Sequence, residues 1–441
     1  MPRQHTDVVV VGLGPVGSYV AWQLAMRGVR VIALEAKRRE DPPSNIGAFH
    51  FESVAFERLE IPLPPDDIMI CKYPGMTVHA PDPSRAVVVE GVETMAMDLS
   101  EFIKHLRGLA AEAGADLRFG ESVTKTIFQD LRIVGVRSEG EKGENAFHAP
   151  VVIDATGAAR AVRRFVPSMA FAGDDASFSV YMEYWADPEN APAEGLHSFM
   201  GSNAWTAKYP DYWIVGMGRP LPLEKTKAEH AAWVERNIPG KKRLLKTVSG
   251  IIPYAFPPAT LVDDGVLVLG DAAATNKPFS GEGISSGMAL AKIAAESFPE
   301  AVETGGSRLS MWEINIKYYT DIGAKFAFLR AMGLALMSLS DDDLNAAFDM
   351  GLFDGNDLRQ TFLEYKVTKP IYKWLPAFAR LIRNRPLAKK YISAFLSARK
   401  VAKLFEDYPS DFTFPRWFAD FNKVMAACGP SAGSSRRIAV E

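Results

Sequence analysis

Asp271 stands nearly alone among small residues in the stretch GDAAATNKPFSGEGISSG, residues 270–287. It closes the apolar run LVDDGVLVLG, and Ser280-Gly281-Glu282-Gly283-Ile284 open the helically spaced ISSGMALAKIAAESF. A carboxylate at such a strand end can accept from a ribityl hydroxyl. Backbone N–H groups at the following helix start can bond the pyrimidine end of a flavin, and the helix dipole favours its negative reduced form. An ordinary helix N-cap would account for Asp271. It would not account for Pro278, Gly281 and Gly283 together.

A second group of residues has phosphate chemistry. In Gly12-Leu13-Gly14-Pro15-Val16-Gly17, Gly12 permits a tight turn, Gly14 lets a pyrophosphate approach the backbone, and Gly17 lets helix and strand pack closely. Glu35, followed by Ala36, ends the next strand at the distance where an acid accepts from ribose hydroxyls. A third segment, Ile153-Asp154-Ala155-Thr156-Gly157, ends a buried strand in small residues. Gly157 there allows close passage of an adenine dinucleotide, although a plain strand-to-turn junction has the same composition.

These groups need elements to position them. DVVVV (7–11) reads as a buried parallel strand, YVAWQLAMRG as a helix and VRVIALEA (29–36) as the next strand. MDLSEFIKHLRGLAAEAG (97–114) reads as an amphipathic helix, with Asp98 and Glu101 spaced for a capping box and Gly114 for the C′ position. Residues 68–94 suggest short strands with turns. Residues 176–254 are alternating and aromatic, as in an antiparallel sheet, and about 305 to 425 are mostly helical. The expected fold class is α/β, with a discontinuous Rossmann-type domain and an inserted sheet domain. The expected division is 1–75 with 95–170 and 255–300 for the nucleotide domain and 76–94 with 171–254 for the sheet domain. A helical region then covers 301–425, and a disordered tail 426–441.

The 441-residue chain has 48% hydrophobic and 23% charged residues, ordinary globular values. Its net charge of -3 points to no nucleic-acid partner. No run reaches the roughly 18 apolar residues of a membrane span. Two distant cysteines, Cys71 and Cys428, argue against a disulfide scaffold, a metal site or a self-contained iron–sulfur cluster. A cytoplasmic location is expected.

GLGPVG, DATG and GDAAATNKPFSGEGISSGMALA, preceded by GIIPYAFPP, resemble in order and spacing the para-hydroxybenzoate hydroxylase-type flavoproteins, and within them the geranylgeranyl reductase family. The resemblance implies FAD and reduction of C=C bonds in prenyl or other hydrophobic alkenes. It implies cofactor contacts at Gly17, Glu35, Ile46, Gly47, Val123, Asp271, Gly283 and Ile284. It puts SNIGAFHF on a flavin-covering loop, where many members carry a cysteine and this chain has none. His50 on that loop is the candidate proton donor, and a structural histidine is the plainer reading. In the substrate sheet the family's YxWxFP becomes Asn203-Ala204-Trp205-Thr206-Ala207-Lys208, followed by Gly216-Met217-Gly218. Asn203, Trp205, Ala207 and Gly216 are the expected substrate-side residues. The Arg that often follows the acid of the 97–114 helix is Leu99 here. Lys277, just before Pro278, has two readings, a cofactor contact and, as the plainer one, a solvated surface lysine.

No second GxGxxG unit exists for a nicotinamide domain, so NAD(P)H, a ferredoxin-like protein or a small reductant must supply electrons. A flavin monooxygenase or halogenase is the alternative, although the WxWxIP signature is absent. A non-redox isomerase or cyclase ranks below it. Residues 366–403 contain no Asp or Glu, and basic residues alternate there with apolar ones. A peripheral membrane contact and a solvated helical cap both fit that pattern.

Overall fold

Four consecutive valines, Val8–Val11, lie at the centre of a six-stranded sheet. The computed structural model describes residues 3–141, 143–170, 174–366 and 371–428. The sheet runs in the order Val262–Asp263, Val266–Val268, Val151–Asp154, Val8–Val11, Val31–Glu35, Asp116–Phe119. Every pairing is parallel except the first. Strands covered on both faces need no polar alternation, which is why the valines and Val151, Val152 and Ile153 are buried on either side.

Helices Pro15–Ala25, Leu99–Glu112 and Ile284–Glu303 contribute to the same core. In the Leu99–Glu112 helix, Asp98 caps the N–H of Glu101 at 2.9 Å and Gly114 takes the left-handed conformation at C′. The expected capping box is half formed, because the Glu101 carboxylate turns to Lys104 at 2.7 Å.

The aromatic segments form an eight-stranded sheet in the order Arg243–Pro253, Ser177–Ala186, Trp213–Arg219, Ala204–Lys208, Leu196–Phe199, Met69–His79, Ala86–Asp98, Ala48–Glu52. It is antiparallel except where Leu196–Phe199 meets Met69–His79. Residues 69–98 are a hairpin of two long strands rather than several short ones. Register shifts between Met69 and Cys71 and between Tyr73 and Gly75 break the apolar alternation that would have shown their length. A smaller four-stranded sheet joins Arg3–His5, Gly143–His148, Arg132–Gly140 and Ser122–Gln129.

From Arg308 onward the described chain is helical, ending in Arg385–Glu406 and Phe414–Cys428. Tyr318, Tyr319, Phe405, Tyr408 and Trp417 bind this end to the main core. Among the described residues no single helix is long and apolar enough to cross a membrane. The bent pair Arg308–Met337 and Asp341–Asp349 turns by 117°. The tail expected over 426–441 lies outside the described residues from 429 on.

Candidate cofactor and substrate site

The three glycine turns meet at one edge of the parallel sheet. Gly12 has φ +93°, and a Cβ there would lie 2.7 Å from the Ala155 carbonyl oxygen, so GLGPVG and DATG pass in contact. A Cβ at Gly17 would lie 1.8 Å from the Gly12 oxygen, which allows only glycine at that position. Gly14 has no heavy atom within 4 Å of its Cβ position, leaving open space at the start of the Pro15–Ala25 helix. Asp154 is fully buried and structural. It accepts from the N–H groups of Thr156, Val162 and Arg163 and from the Thr156 hydroxyl. Gly157, at φ +63°, likewise has no near neighbour.

Glu35 accepts from the N–H of Leu13 at 3.1 Å and of Lys37 at 3.0 Å, and pairs with Arg107 at 3.2 Å. A carboxylate has about four acceptor positions, so one remains for a ribose hydroxyl. Ala36 is exposed beside it. Val123 is the second residue of the Ser122–Gln129 strand, whose approach is tied to Glu35 by a Glu121 N–H to Glu35 carbonyl bond of 2.8 Å. Arg107 was not anticipated. It is buried, donates twice to the Leu13 carbonyl at 2.9 and 2.7 Å, and has its pKa lowered, first by burial. It puts a cation beside the phosphate turn from the helix on which Leu99 replaces the family's Arg. Its position on the apolar face, beside Phe102, Ile103, Leu106 and Ala110, was the available signal.

Asp271 occupies a short 3₁₀ turn, Gly270–Ala273, with Ala274 left-handed at its end. Its carboxylate accepts from no described residue. A Cβ at Gly283 would lie 2.7 Å from Asp271 Oδ1, which places the carboxylate against the start of the Ile284–Glu303 helix. Burial pushes the Asp271 pKa up to about 6, and Arg160 pulls against that rise. The Gly283 cap supplies no side-chain bond, so the first N–H groups of this helix are unsatisfied. Gly281, at φ +72°, turns the chain into it, and Pro278 is buried with its carbonyl held by the Tyr254 hydroxyl at 3.1 Å. Thr275 Oγ1 and Asn276 Nδ2 are buried without partners beside this turn. The open cradle at Gly14, the unbonded carboxylate and the uncapped helix fit a dinucleotide with a ribityl chain and a hydrogen-bonding ring.

Lys277 is not a surface residue. It is 4% exposed, its Nζ is bonded to Glu52, and Glu282 lies 3.6 Å away. Burial lowers its pKa and Glu282 offsets part of that. Next to it, Arg330 is 2% exposed. It reaches the Asn276 carbonyl at 3.3 Å and lies 3.6 Å from the centre of the Tyr254 ring.

His50 lies on the Ala48–Glu52 strand, opposite Ala96, rather than on a loop. The covering loop shrinks to the residues before it. Ile46 is exposed, and the Gly47 N–H donates to the Tyr184 hydroxyl at 3.3 Å. His50 Nε2 lies 2.9 Å from the Tyr209 hydroxyl, and its ring meets Tyr73 edge-on. Burial raises the Tyr209 pKa well above its ordinary value and lowers that of His50. Both groups are therefore neutral at pH 7, and the imidazole tautomer sets which of them donates.

Ala207 packs in the same apolar cluster as Tyr73, Tyr184 and Tyr209, with Cys71 partly buried at its edge. Trp205 shares the Ala207 face by strand alternation. A Cβ at Gly216 would lie 2.2 Å from the Trp205 ring, so that glycine makes room for the indole. Asn203 sits apart at the hairpin turn. It is left-handed, with Nδ2 3.7 Å from Met337 Sδ.

A parallel sheet with glycine turns at its carboxyl edge, joined to an eight-stranded sheet, is a Rossmann-type FAD-binding fold. No family model matches the chain. It is 24% identical to a digeranylgeranylglycerophospholipid reductase of Sulfolobus acidocaldarius, over 96% of this chain and 98% of that protein. It is 26% identical to one of Methanopyrus kandleri, over 87% and 98%. Among solved structures, a geranylgeranyl bacteriochlorophyll reductase-like protein of Thermoplasma acidophilum superposes with TM-score 0.75 at 18% identity, covering 89% of this chain and 100% of that one. A flavin-dependent brominase superposes with TM-score 0.65 at 16% identity, covering 95% and 100%. Over nearly its whole length the chain is thus similar to digeranylgeranylglycerophospholipid reductases.

Proposed function

We propose that this chain saturates carbon–carbon double bonds of a prenyl lipid. The near-complete alignment with a digeranylgeranylglycerophospholipid reductase carries the reading. Bound FAD, once reduced, supplies the hydride. The chain's own residues bind, orient and protonate. The Gly12–Gly17 turn and Arg107 take the pyrophosphate side, Glu35 the ribose and Asp271 the ribityl chain. The helix start at Gly283 and Ile284 takes the ring. Tyr73, Tyr209, Trp205 and Ala207 provide an apolar wall that excludes water and holds the alkene. His50 is the candidate proton donor to the second carbon; being neutral, it releases its ring proton only as Tyr209, hydrogen-bonded to it, replaces that proton.

The electron donor is NAD(P)H, a ferredoxin-like protein or a small reductant, and steady-state turnover with each in turn identifies it. Membrane contact runs through the Arg385–Glu406 helix. Ile392, Phe395 and Leu396 are exposed there, with Arg385, Lys389, Arg399 and Lys400 on the same surface. An apolar stripe edged with cations matches an anionic bilayer, where a prenyl lipid resides.

The test is anaerobic. The FAD-loaded chain is reduced with dithionite and mixed with digeranylgeranylglyceryl phospholipid. Reoxidation of the flavin with a gain of two hydrogens per double bond is expected. The brominase-like fold favours one rival, an oxygen-dependent monooxygenase or halogenase. Flavin that stays reduced with the lipid, yet turns over with oxygen and a substrate to give an oxygenated or halogenated product, would overturn the reductase reading.

A further inference from the structure

A charge cluster lies at the start of the Ile284–Glu303 helix, outside the roles assigned above. Lys277 bridges Glu52 and Glu282, and the second Glu52 oxygen accepts from the Ser285 hydroxyl at 3.0 Å. Glu282 and Ser285 directly flank Gly283 and Ile284, the two residues assigned to the flavin ring, one Cα step of about 3.8 Å on either side. Glu282 is held in place. Its carbonyl accepts from the Lys277 N–H at 2.9 Å, and the Gly281 N–H bonds the Lys277 carbonyl at 2.9 Å, closing the loop. Its field reaches Lys277 and, across the site, His50 on the sheet, where it opposes the effect of burial. Beyond Glu52 and Ser285, a cavity of about 410 Å³ opens between the Ser53–Arg58 helix and the C-terminal helices.

The cluster has two carboxylates and one ammonium, one net negative charge, at the positive end of a helix. A flavin gains negative charge on reduction, and a fixed anion within a few ångströms in a partly desolvated site opposes that gain. We propose that Glu282, fixed by Lys277, lowers the reduction potential of the bound flavin and makes its reduced form a stronger hydride donor. Glu282 is thus a positioning residue for charge. Its value to an alkene reductase rests on the function proposed above, because unactivated double bonds demand a strong donor.

The test is the midpoint potential of the FAD-loaded full chain, titrated spectroscopically against reference dyes. Glu282→Gln is expected to shift it to a more positive value, by about tenfold in the ratio of reduced to oxidised flavin at fixed poise, or ~30 mV for a two-electron couple. Lys277→Met is expected to shift it the other way. The pair Glu52→Gln with Lys277→Met removes one charge of each sign and is expected to return it near the starting value. An unchanged or more negative potential in Glu282→Gln, with FAD still bound, overturns the inference. A wild-type chain that binds no FAD overturns it together with the cofactor assignment. Failure of alkene saturation alongside the expected potential shift supports the inference and sinks only the substrate reading.

Discussion

Replacing Asp271 by Asn should strengthen the empty protein and weaken its hold on FAD. Burial raises the folded-state pKa of Asp271 from the usual 3.8 to about 6. An acid whose folded pKa lies above its unfolded value binds more protons when folded, so its burden on stability is absent below 3.8 and grows as pH rises. It is complete above about 6. At pH 7 the difference amounts to at most ~3 kcal/mol. Asn removes the charge at nearly constant volume, and the apo chain should melt a few degrees higher. The same change removes a charge-assisted bond to the ribityl chain, worth ~1.5–3 kcal/mol, and FAD should bind roughly 10- to 150-fold more weakly. Scanning calorimetry of the apo form and quenching of flavin fluorescence measure the two effects. The melting advantage should shrink to roughly half by pH 5. An apo variant that melts lower than wild type at pH 7, or an unchanged FAD affinity, would refute the reasoning.

Lys277→Met alone should cost about 3–5 kcal/mol, because it leaves Glu52 buried and unpaired; chemical denaturation should show most of that recovered when Glu52→Gln is added. His50→Gln should cut the rate of alkene saturation by about 10²–10⁴ while FAD affinity stays at the wild-type value, and a smaller loss of rate would remove His50 as the proton donor. Replacing Ile392, Phe395 and Leu396 together by Ser should abolish co-sedimentation with anionic vesicles and leave the flavin spectrum unchanged. Raising the salt should weaken wild-type binding, and salt-independent binding would argue against the basic stripe.

The glycine turns of the candidate site were readable because each demands the absence of a side chain. Gly12, Gly17 and Gly283 stand where any side chain would strike a neighbour, and that demand shows in a linear sequence as spacing. What depends on partners far along the chain did not show. Lys277 is buried because Glu52, 225 positions away, supplies its counter-charge. Arg107 meets Leu13 and Glu35 only once two strands and a helix have assembled. His50 looked like a loop residue because Ala48–Glu52 is a short strand, and its pairing with Thr94–Asp98 leaves little periodicity to detect. The substrate face was placed only by its familial outline. Of its proposed aromatic lining, Tyr73 comes from a strand whose register no local pattern discloses, and Tyr209 follows directly on the Ala204–Lys208 strand.

The contact between Gly287 and the first helix has a consequence for how the enzyme is made. A Cβ at Gly287 would lie 2.7 Å from Val16, so the start of the Ile284–Glu303 helix is seated directly on the first phosphate turn. The cofactor cradle therefore closes across about 270 residues of chain. At ribosomal speeds of ~5–20 residues per second, its first half waits on the order of 15 to 50 s for its second. Through that interval the nascent chain carries a finished GLGPVG turn and no place to keep a flavin. Loading with FAD therefore follows synthesis of the Ile284–Glu303 helix, and a cell short of the flavin would accumulate chains whose parallel sheet is complete while the helix start beside Asp271 stands empty.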